Sequence, residues 1–159
     1  MKVILDFAAR FDTKLSLNPD FVIKKDGRHF LLNRILRRFV LRDYYYAGVY
    51  LGKARAGKFF PSFILLKRMA ENKANSVTVD GKASWLFICG RDVFRKGILA
   101  VNGSPNKNDY ALVLNEFNEC LGFGIIVCNL DTIGKGTDVA VKNVSDVGDF
   151  LRRETRWSA

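Results

Sequence analysis

The segment Gly52-Lys53-Ala54-Arg55-Ala56-Gly57-Lys58 carries the Gly-x-x-x-x-Gly-Lys frame of a phosphate-binding loop. In a nucleotidase that frame is followed by a Ser or Thr that holds magnesium and by a helix whose amides face the phosphates. Here Phe59, Phe60 and Pro61 follow, so the hydroxyl is missing and a proline stands where helical hydrogen bonds should begin. The segment reads as a basic loop without nucleotidase chemistry. His29 is the single histidine, with no nucleophile pattern near it, and reads as an exposed or half-packed strand residue rather than a base. Cys89, Cys120 and Cys128 lack metal-ligand spacing and lie in apolar runs, which suits buried thiols in a reducing compartment. Gly122-Phe123-Gly124 is not a dinucleotide fingerprint and looks like a bend within a strand, and Gly134-Lys135-Gly136 with Asp138 looks like a basic turn. The residue types for catalysis, a cofactor or a metal are not assembled, so the expectation is a non-enzymatic protein.

Residues suited to holding a polyanion are more plentiful. Arg91, Arg95 and Lys96 cluster between Gly90 and Gly97, and Arg152, Arg153 and Arg156 crowd the end of the chain beside Trp157. Arginine and lysine engage phosphates, and an indole can stack on an unpaired base. A frayed basic terminus is the plainer account of the second set. Arg34, Arg37, Arg38 and Arg42 form a third group, which equally suits a solvated helix face.

The elements that must position these groups follow from pattern. Phe21–Lys25, Asp26-Gly27 and Arg28–Leu32 predict a hairpin. Asn33 is placed to cap a helix to about Asp43, with Leu32, Ile35, Leu36, Phe39 and Val40 as an apolar face needed for a core. Ala47–Leu51 predicts a strand, and Ser62–Glu71, after Pro61, a second amphipathic helix. Ser76–Val79 predicts a short strand and Asp80-Gly81 a turn. Trp85–Cys89 reads as a buried strand, Arg91–Lys96 as one or two basic helical turns ended by Gly97, and Ile98–Val101 as a strand. Tyr110–Leu114, Phe123–Cys128 and Val139–Lys142 complete a set of short strands typical of a small barrel, and Asp146–Arg153 predicts a closing helix capped by Ser145.

Charge divides the chain. Lys and Arg total 26 against 16 Asp and Glu, a net charge of +10. Residues 1–75 hold 16 basic and 6 acidic side chains, whereas 76–159 hold 10 of each, so the whole excess lies in the first half. A basic surface favours a nucleic-acid partner over a membrane. No apolar run approaches the ~20 residues of a membrane span, and Met1-Lys2-Val3-Ile4-Leu5-Asp6 breaks before a signal-peptide core forms, so an intracellular protein is expected. With 48% apolar residues, 13 of all residues being Phe, a packed core is within reach. The boundary expected from charge and pattern gives an N-terminal α/β domain over 1–78 and a second domain over 79–159.

Four stretches, in order, resemble one family. Trp85–Val101 resembles the opening of a PUA domain, a small RNA-binding β-barrel. Leu51-Gly52 with Gly57-Lys58-Phe59, Leu121-Gly122-Phe123-Gly124, and Asp146-Val147-Gly148-Asp149-Phe150-Leu151-Arg152 are similar to segments of the NIP-seven family of large-subunit ribosome-biogenesis factors, and the length suggests its archaeal branch. The resemblance implies an α+β fold: an N-terminal α/β domain with an antiparallel sheet, then a C-terminal PUA domain. It implies a factor without cofactor or enzymatic activity that binds U-rich or A/U-rich single-stranded RNA in pre-rRNA processing and large-subunit assembly. Implied partners are pre-rRNA, pre-large-subunit particles, an SBDS-type ribosome maturation protein and exosome components. The implied RNA contacts match Arg152, Arg153 and Arg156, with Arg91, Arg95 and Lys96 as the competing site. The implied location is cytoplasmic for an archaeal protein and nucleolar for a eukaryotic one. Two other classes remain open: an RNA-binding component of an RNA-modification complex, and a protein-docking adaptor working through the basic first half.

Overall fold

In the computed structural model, which describes residues 1–40, 44–103, 106–130 and 136–149, two sheets share an interior. The chain opens with helix α1 (Lys2–Ala9), a strand-turn-strand pair β1 (Val22–Lys25) and β2 (Arg28–Leu31), and a single helical turn α2 (Leu36–Phe39). Next come β3 (Val49–Arg55), β4 (Lys58–Pro61), α3 (Phe63–Glu71), β5 (Ser76–Val79) and α4 (Gly81–Ile88). The remainder is β6 (Val93–Phe94), β7 (Ile98–Asn102), β8 (Tyr110–Leu114), β9 (Cys120–Ile126) and β10 (Val139–Asp146). Strands β1-β2-β3-β4 form an antiparallel four-stranded sheet, and a six-stranded sheet curls in the order β6-β10-β9-β8-β5-β7. Only the β5–β8 pair in it is parallel. The class is α+β, as the sequence suggests.

Local chemistry sets these elements. Asp26 and Gly27, at φ 50° and 76°, make the tight turn that joins β1 and β2. The Ser62 hydroxyl accepts from the Leu65 amide at 3.2 Å and donates to the Tyr50 carbonyl at 2.7 Å, so it caps α3 and ties it to β3. The segment 52–58 is a continuous hairpin, β3 to β4, turning at Ala56-Gly57, rather than a free loop. With no helix following it directly, it is not a phosphate cradle.

Strand β8 is the shared wall, buried on both faces. Ala111 and Val113 enter a core with Val77, Val79, Phe87, Ile98 and Ile126, while Leu112 and Leu114 enter a core with Ile4, Phe11, Leu65 and Met69. Period-two alternation sends successive residues to opposite sides, so one strand serves both. An aromatic cluster anchors the first core: Phe7 meets Phe11, Phe59 and Phe123 with ring centroids 5.2, 5.4 and 5.6 Å apart, and Tyr110 lies 5.7 Å from Phe123. Each such buried side chain contributes about 1.5–3 kcal/mol from apolar burial.

Four expectations fail here. Trp85–Cys89 is not a buried strand but the second half of α4, because Asp80, read as a turn residue, caps a helix through Ala83 N–H at 2.7 Å. A short apolar run cannot by itself distinguish the two. The basic helical turns expected at 91–96 shrink to β6 and a 3-10 turn at Arg95–Gly97. The helix expected to about Asp43 is described only as α2, with 41–43 outside the described residues, and of its apolar face Leu32 is buried whereas Ile35 and Phe39 are 69% and 71% exposed. Helical spacing shows which residues share a face, not what covers it. Asn33 does bond the Leu36 amide at 2.7 Å as expected. At the far end β10 runs to Asp146, whose carboxylate rather than Ser145 accepts from the Asp149 amide at 2.9 Å.

Candidate nucleic-acid interface

Helix α4 packs on β6, β9 and β10 of the six-stranded sheet and is fastened at both ends. At its start the Asp80 amide donates to the Gly97 carbonyl at 2.9 Å, and Gly97 packs so close to Ala83 that an added Cβ would lie 2.7 Å from the alanine methyl. At its end Gly90, with φ 85°, lets the Gly90 and Arg91 amides fold back onto the carbonyls of Phe87 and Leu86 at 2.9 and 3.0 Å. That left-handed glycine cap ends the helix sharply. Asn143 of β10 then staples the cap: its side-chain amide donates to the carbonyls of Phe87 and Arg91 at 2.9 and 3.3 Å, and its backbone amide to Asp92 at 2.8 Å.

Phe87 faces inward and is fully buried, which turns Lys82, Trp85 and Cys89 outward on one stripe with i, i+3, i+7 spacing. Trp85 is 65% exposed, and its neighbour Leu86 is exposed too, as is Phe94 on β6. Arg91 and Lys96 are exposed at the cap and at the 3-10 turn. The helix thus presents an indole ring on the same element as a lysine, with Arg91 at its end and Lys96 in the turn that meets its start. That arrangement can stack a base and neutralise phosphates.

Arg95, expected with Arg91 and Lys96, does something different. Its guanidinium bonds Asp138 at 3.0 Å, the Asn129 carbonyl at 2.6 Å and the Cys128 sulfur at 3.0 Å. Its side chain keeps only 12% exposure, so it joins the start of β10 to the segment after β9. The hydrogen bond from Arg95 holds the Asp138 carboxyl below its ordinary pKa, and burial pushes the Cys128 thiol up. Arg152, Arg153 and Arg156 lie outside the described residues.

The other candidates resolve simply. His29 is not exposed but 2% accessible, on β2 with its ring 6.0 Å from Phe59, and its Nδ1 has no partner. Burial, with nearby positive charge, pushes its pKa down, so it is a neutral core residue. Cys120 is pushed up to about 11 by burial, which makes its thiol unreactive, and Cys89 is exposed rather than buried. Gly122 and Gly124 lie within β9 as expected, where Gly122, at φ 147°, lets β10 pass against its backbone at Ser145. Among the described residues no three His, Cys, Asp or Glu side chains converge as a metal site, and no helix is long and apolar enough to cross a membrane. Sequence reasoning missed Lys82 and Trp85. The available signal was Asp80 followed by the helical spacing of Ala83 and Phe87.

Residues 75–155 match the family model described as the UPF0113 PUA domain. The chain is 30% identical over 118 residues to a UPF0113 protein of Archaeoglobus fulgidus, a stretch covering 71% of this chain and 65% of that one. It is 33% identical over 75 residues to a probable tRNA pseudouridine synthase B of Picrophilus torridus, covering 43% of this chain and 22% of the relative. The matches therefore span just under two thirds of one curated relative and about a fifth of the other. A conserved PUA domain protein from Thermoplasma acidophilum superposes with a TM-score of 0.60 at 22% identity, over 96% of this chain and 92% of that one, and so shares the fold.

Proposed function

The chain belongs to the UPF0113 PUA domain family, and from that premise we propose that it is a non-enzymatic factor that binds single-stranded, U-rich RNA during large-subunit ribosome assembly. The observation that carries the reading is Trp85, exposed on a helix stapled at both ends, with Lys82 on the same stripe and Arg91 at its cap. A fixed aromatic ring beside cations selects unpaired bases over a duplex, whose bases are already stacked. Arg152, Arg153 and Arg156 are proposed as further phosphate contacts, a reading that follows from their match to the basic tail of the NIP-seven family. Pre-rRNA is the proposed RNA. An SBDS-type maturation protein and exosome components are the proposed protein partners, and the cytoplasm is the proposed location.

Trp85→Ala is expected to weaken binding of a uridine-rich oligonucleotide by about tenfold, since one base stack contributes ~1–3 kcal/mol. Binding by wild-type protein should also quench tryptophan emission and weaken with salt, by a slope near −0.7 per phosphate contacted. Replacing Arg152, Arg153 and Arg156 together by Ala should remove most remaining affinity. Unchanged affinity in both variants, or a preference for duplex DNA, sinks the assignment.

A second reading is supported by the Picrophilus torridus relative, whose name is that of a tRNA-modifying enzyme. In it the chain is the RNA-binding part of a modification complex. Co-purification with a catalytic subunit, and base-modifying activity in that fraction, would favour it.

A further inference from the structure

Five of the sixteen basic side chains of the first half lie on one face of the four-stranded sheet. Leu31, Leu51 and Phe59 turn the other face to the aromatic core. On the outer face Lys25 pairs with Arg28, Arg28 with Lys53, and Lys53 with Phe60, so a single row crosses all four strands as cation, cation, cation, ring. Arg55 pairs with Lys58 in a second row. Adjacent strands lie about 4.8 Å apart, so these are direct cross-strand neighbours of like charge. Such pairs destabilise a sheet unless an anion lies across them. Among the described residues of this sheet and its connections, Asp26, 3.7 Å from Arg28, is the one carboxylate.

Aromatic rings are laid over the same face. The Arg28 guanidinium sits 4.5 Å above the ring of Tyr45, and the Lys25 ammonium 5.0 Å from that of Tyr44. Tyr46 packs on Phe30 and Tyr50 with centroids 5.1 and 6.4 Å apart. Tyr45, Tyr46 and Phe60 nevertheless remain 79%, 58% and 45% exposed. These rings are held in place from below while their outer surfaces stay open.

We propose that this face binds single-stranded RNA, with phosphates along the two cation rows and unpaired bases on Tyr45, Tyr46 and Phe60. The inference takes the RNA partner from the preceding reading and adds a second, separate surface for it. Residues two apart on a strand are spaced about 6.6–6.8 Å, comparable to successive phosphates of an extended strand. An acidic protein would be drawn by the same charge, but a docked helix needs a groove. A groove of about 1060 Å³, lined by Phe63, Ile64, Leu114 and Phe117, opens elsewhere, between α3 and the β8–β9 turn. Stacking rings on an open sheet suit bases instead.

Photocrosslinking of the full chain to a uridine-rich RNA bearing 5-iodouridine, with mass-spectrometric mapping, tests the surface. Affinity titrations over a salt series accompany it. Crosslinks are expected at Tyr45, Tyr46 or Phe60. The double variant Tyr45→Ala/Tyr46→Ala should bind about fivefold or more weakly. The triple variant Lys53→Ala/Arg55→Ala/Lys58→Ala should flatten the log K against log salt slope by about 2, three contacts at ~0.7 each. All five side chains are exposed or half-exposed, and circular dichroism checks that the variants fold. Crosslinks confined to residues 75–159, with both variants binding as wild type, overturn this surface and leave the Trp85 reading standing. No RNA binding by the wild type overturns both. Poly-glutamate binding that the triple variant loses, with RNA binding intact, reassigns the face to an acidic protein and overturns the proposal.

Discussion

In the six-stranded sheet Arg95 commits its guanidinium to Asp138, Asn129 and Cys128, whereas in the four-stranded sheet Lys25, Arg28 and Lys53 stand side by side with a single ion pair among the described residues, Arg28 to Asp26. The first arrangement holds the molecule together; the second leaves charge for something outside it. The difference cautions against reading a cation by its position in a motif. Arg95 sits where an RNA contact is expected from sequence and is structural. The lysines of the Gly-x-x-x-x-Gly-Lys frame fail every test for nucleotide chemistry, yet they face solvent.

The contrast holds only if the two sheets behave as one packed body, and the largest effect should come from breaking their shared core. Phe123→Ala removes a ring that touches Phe7, Phe11 and Tyr110, and should cost about 3–5 kcal/mol in urea denaturation while leaving a single transition. Two separate transitions, one of them unmoved, would show that the sheets are independent. Next in size is Gly122→Ala, where a methyl group would collide with the Ser145 carbonyl at a φ that favours glycine. A loss of about 1–3 kcal/mol is expected, and a neutral result would mean that β10 can shift past β9. Asp80→Ala removes the α4 cap and should cost about 1 kcal/mol, with weaker RNA binding through Trp85 if that helix frays.

The smallest effect sharpens the comparison by pH. His29 lies in the four-stranded sheet with its pKa lowered by burial, so the unfolded chain binds a proton that the folded chain refuses. Stability should be full above about pH 6.5 and decline as pH falls from there toward the lowered folded value. Asp138 belongs to the other sheet and is lowered by its bond to Arg95. Its contribution is present above the ordinary carboxylate range and fades only as pH drops through its depressed folded value. Denaturant midpoints at about pH 7.5, 5.5 and 2.5, with His29→Leu, separate the two: the variant should lose the decline between about 7.5 and 5.5 and keep the acid one.

Much of the backbone was legible from sequence because its signals are local. Asp26-Gly27 announces its turn, Ser62 its cap, and the alternation in Tyr110–Leu114 its strand. Helix α4 is hidden because the five-residue apolar run Trp85–Cys89 has no period long enough to decide between strand and helix, and Asp80 before Gly81 suits a turn as well as a cap. What stayed hidden depends on distant partners. Arg95 meets Asp138 across 43 positions of sequence. The cation rows assemble Lys25 and Arg28 with Lys53 through a register that includes a bulge between His29 and Phe30. No spacing rule along the chain shows that these side chains become neighbours. Burial of His29, and exposure of Ile35 and Phe39, likewise turn on what packs against a face rather than on its composition.

Strand β8 also sets an order of events as the chain is made. Helix α1 is synthesised first, yet Phe7 and Phe11 rest on Leu112, Leu114 and Phe123, more than a hundred residues later. Strand β5 likewise waits for β8, its parallel neighbour. Until β9 has left the ribosome, the first helix has no surface on which to hide its rings, and the four-stranded hairpins must persist with one apolar side wet. Distant pairings of this kind carry a loop-closure cost that slows folding. The last strands to emerge therefore act as the latch for the first segment made, and a ribosome stalled before residue 123 would hold a nascent chain dependent on chaperones.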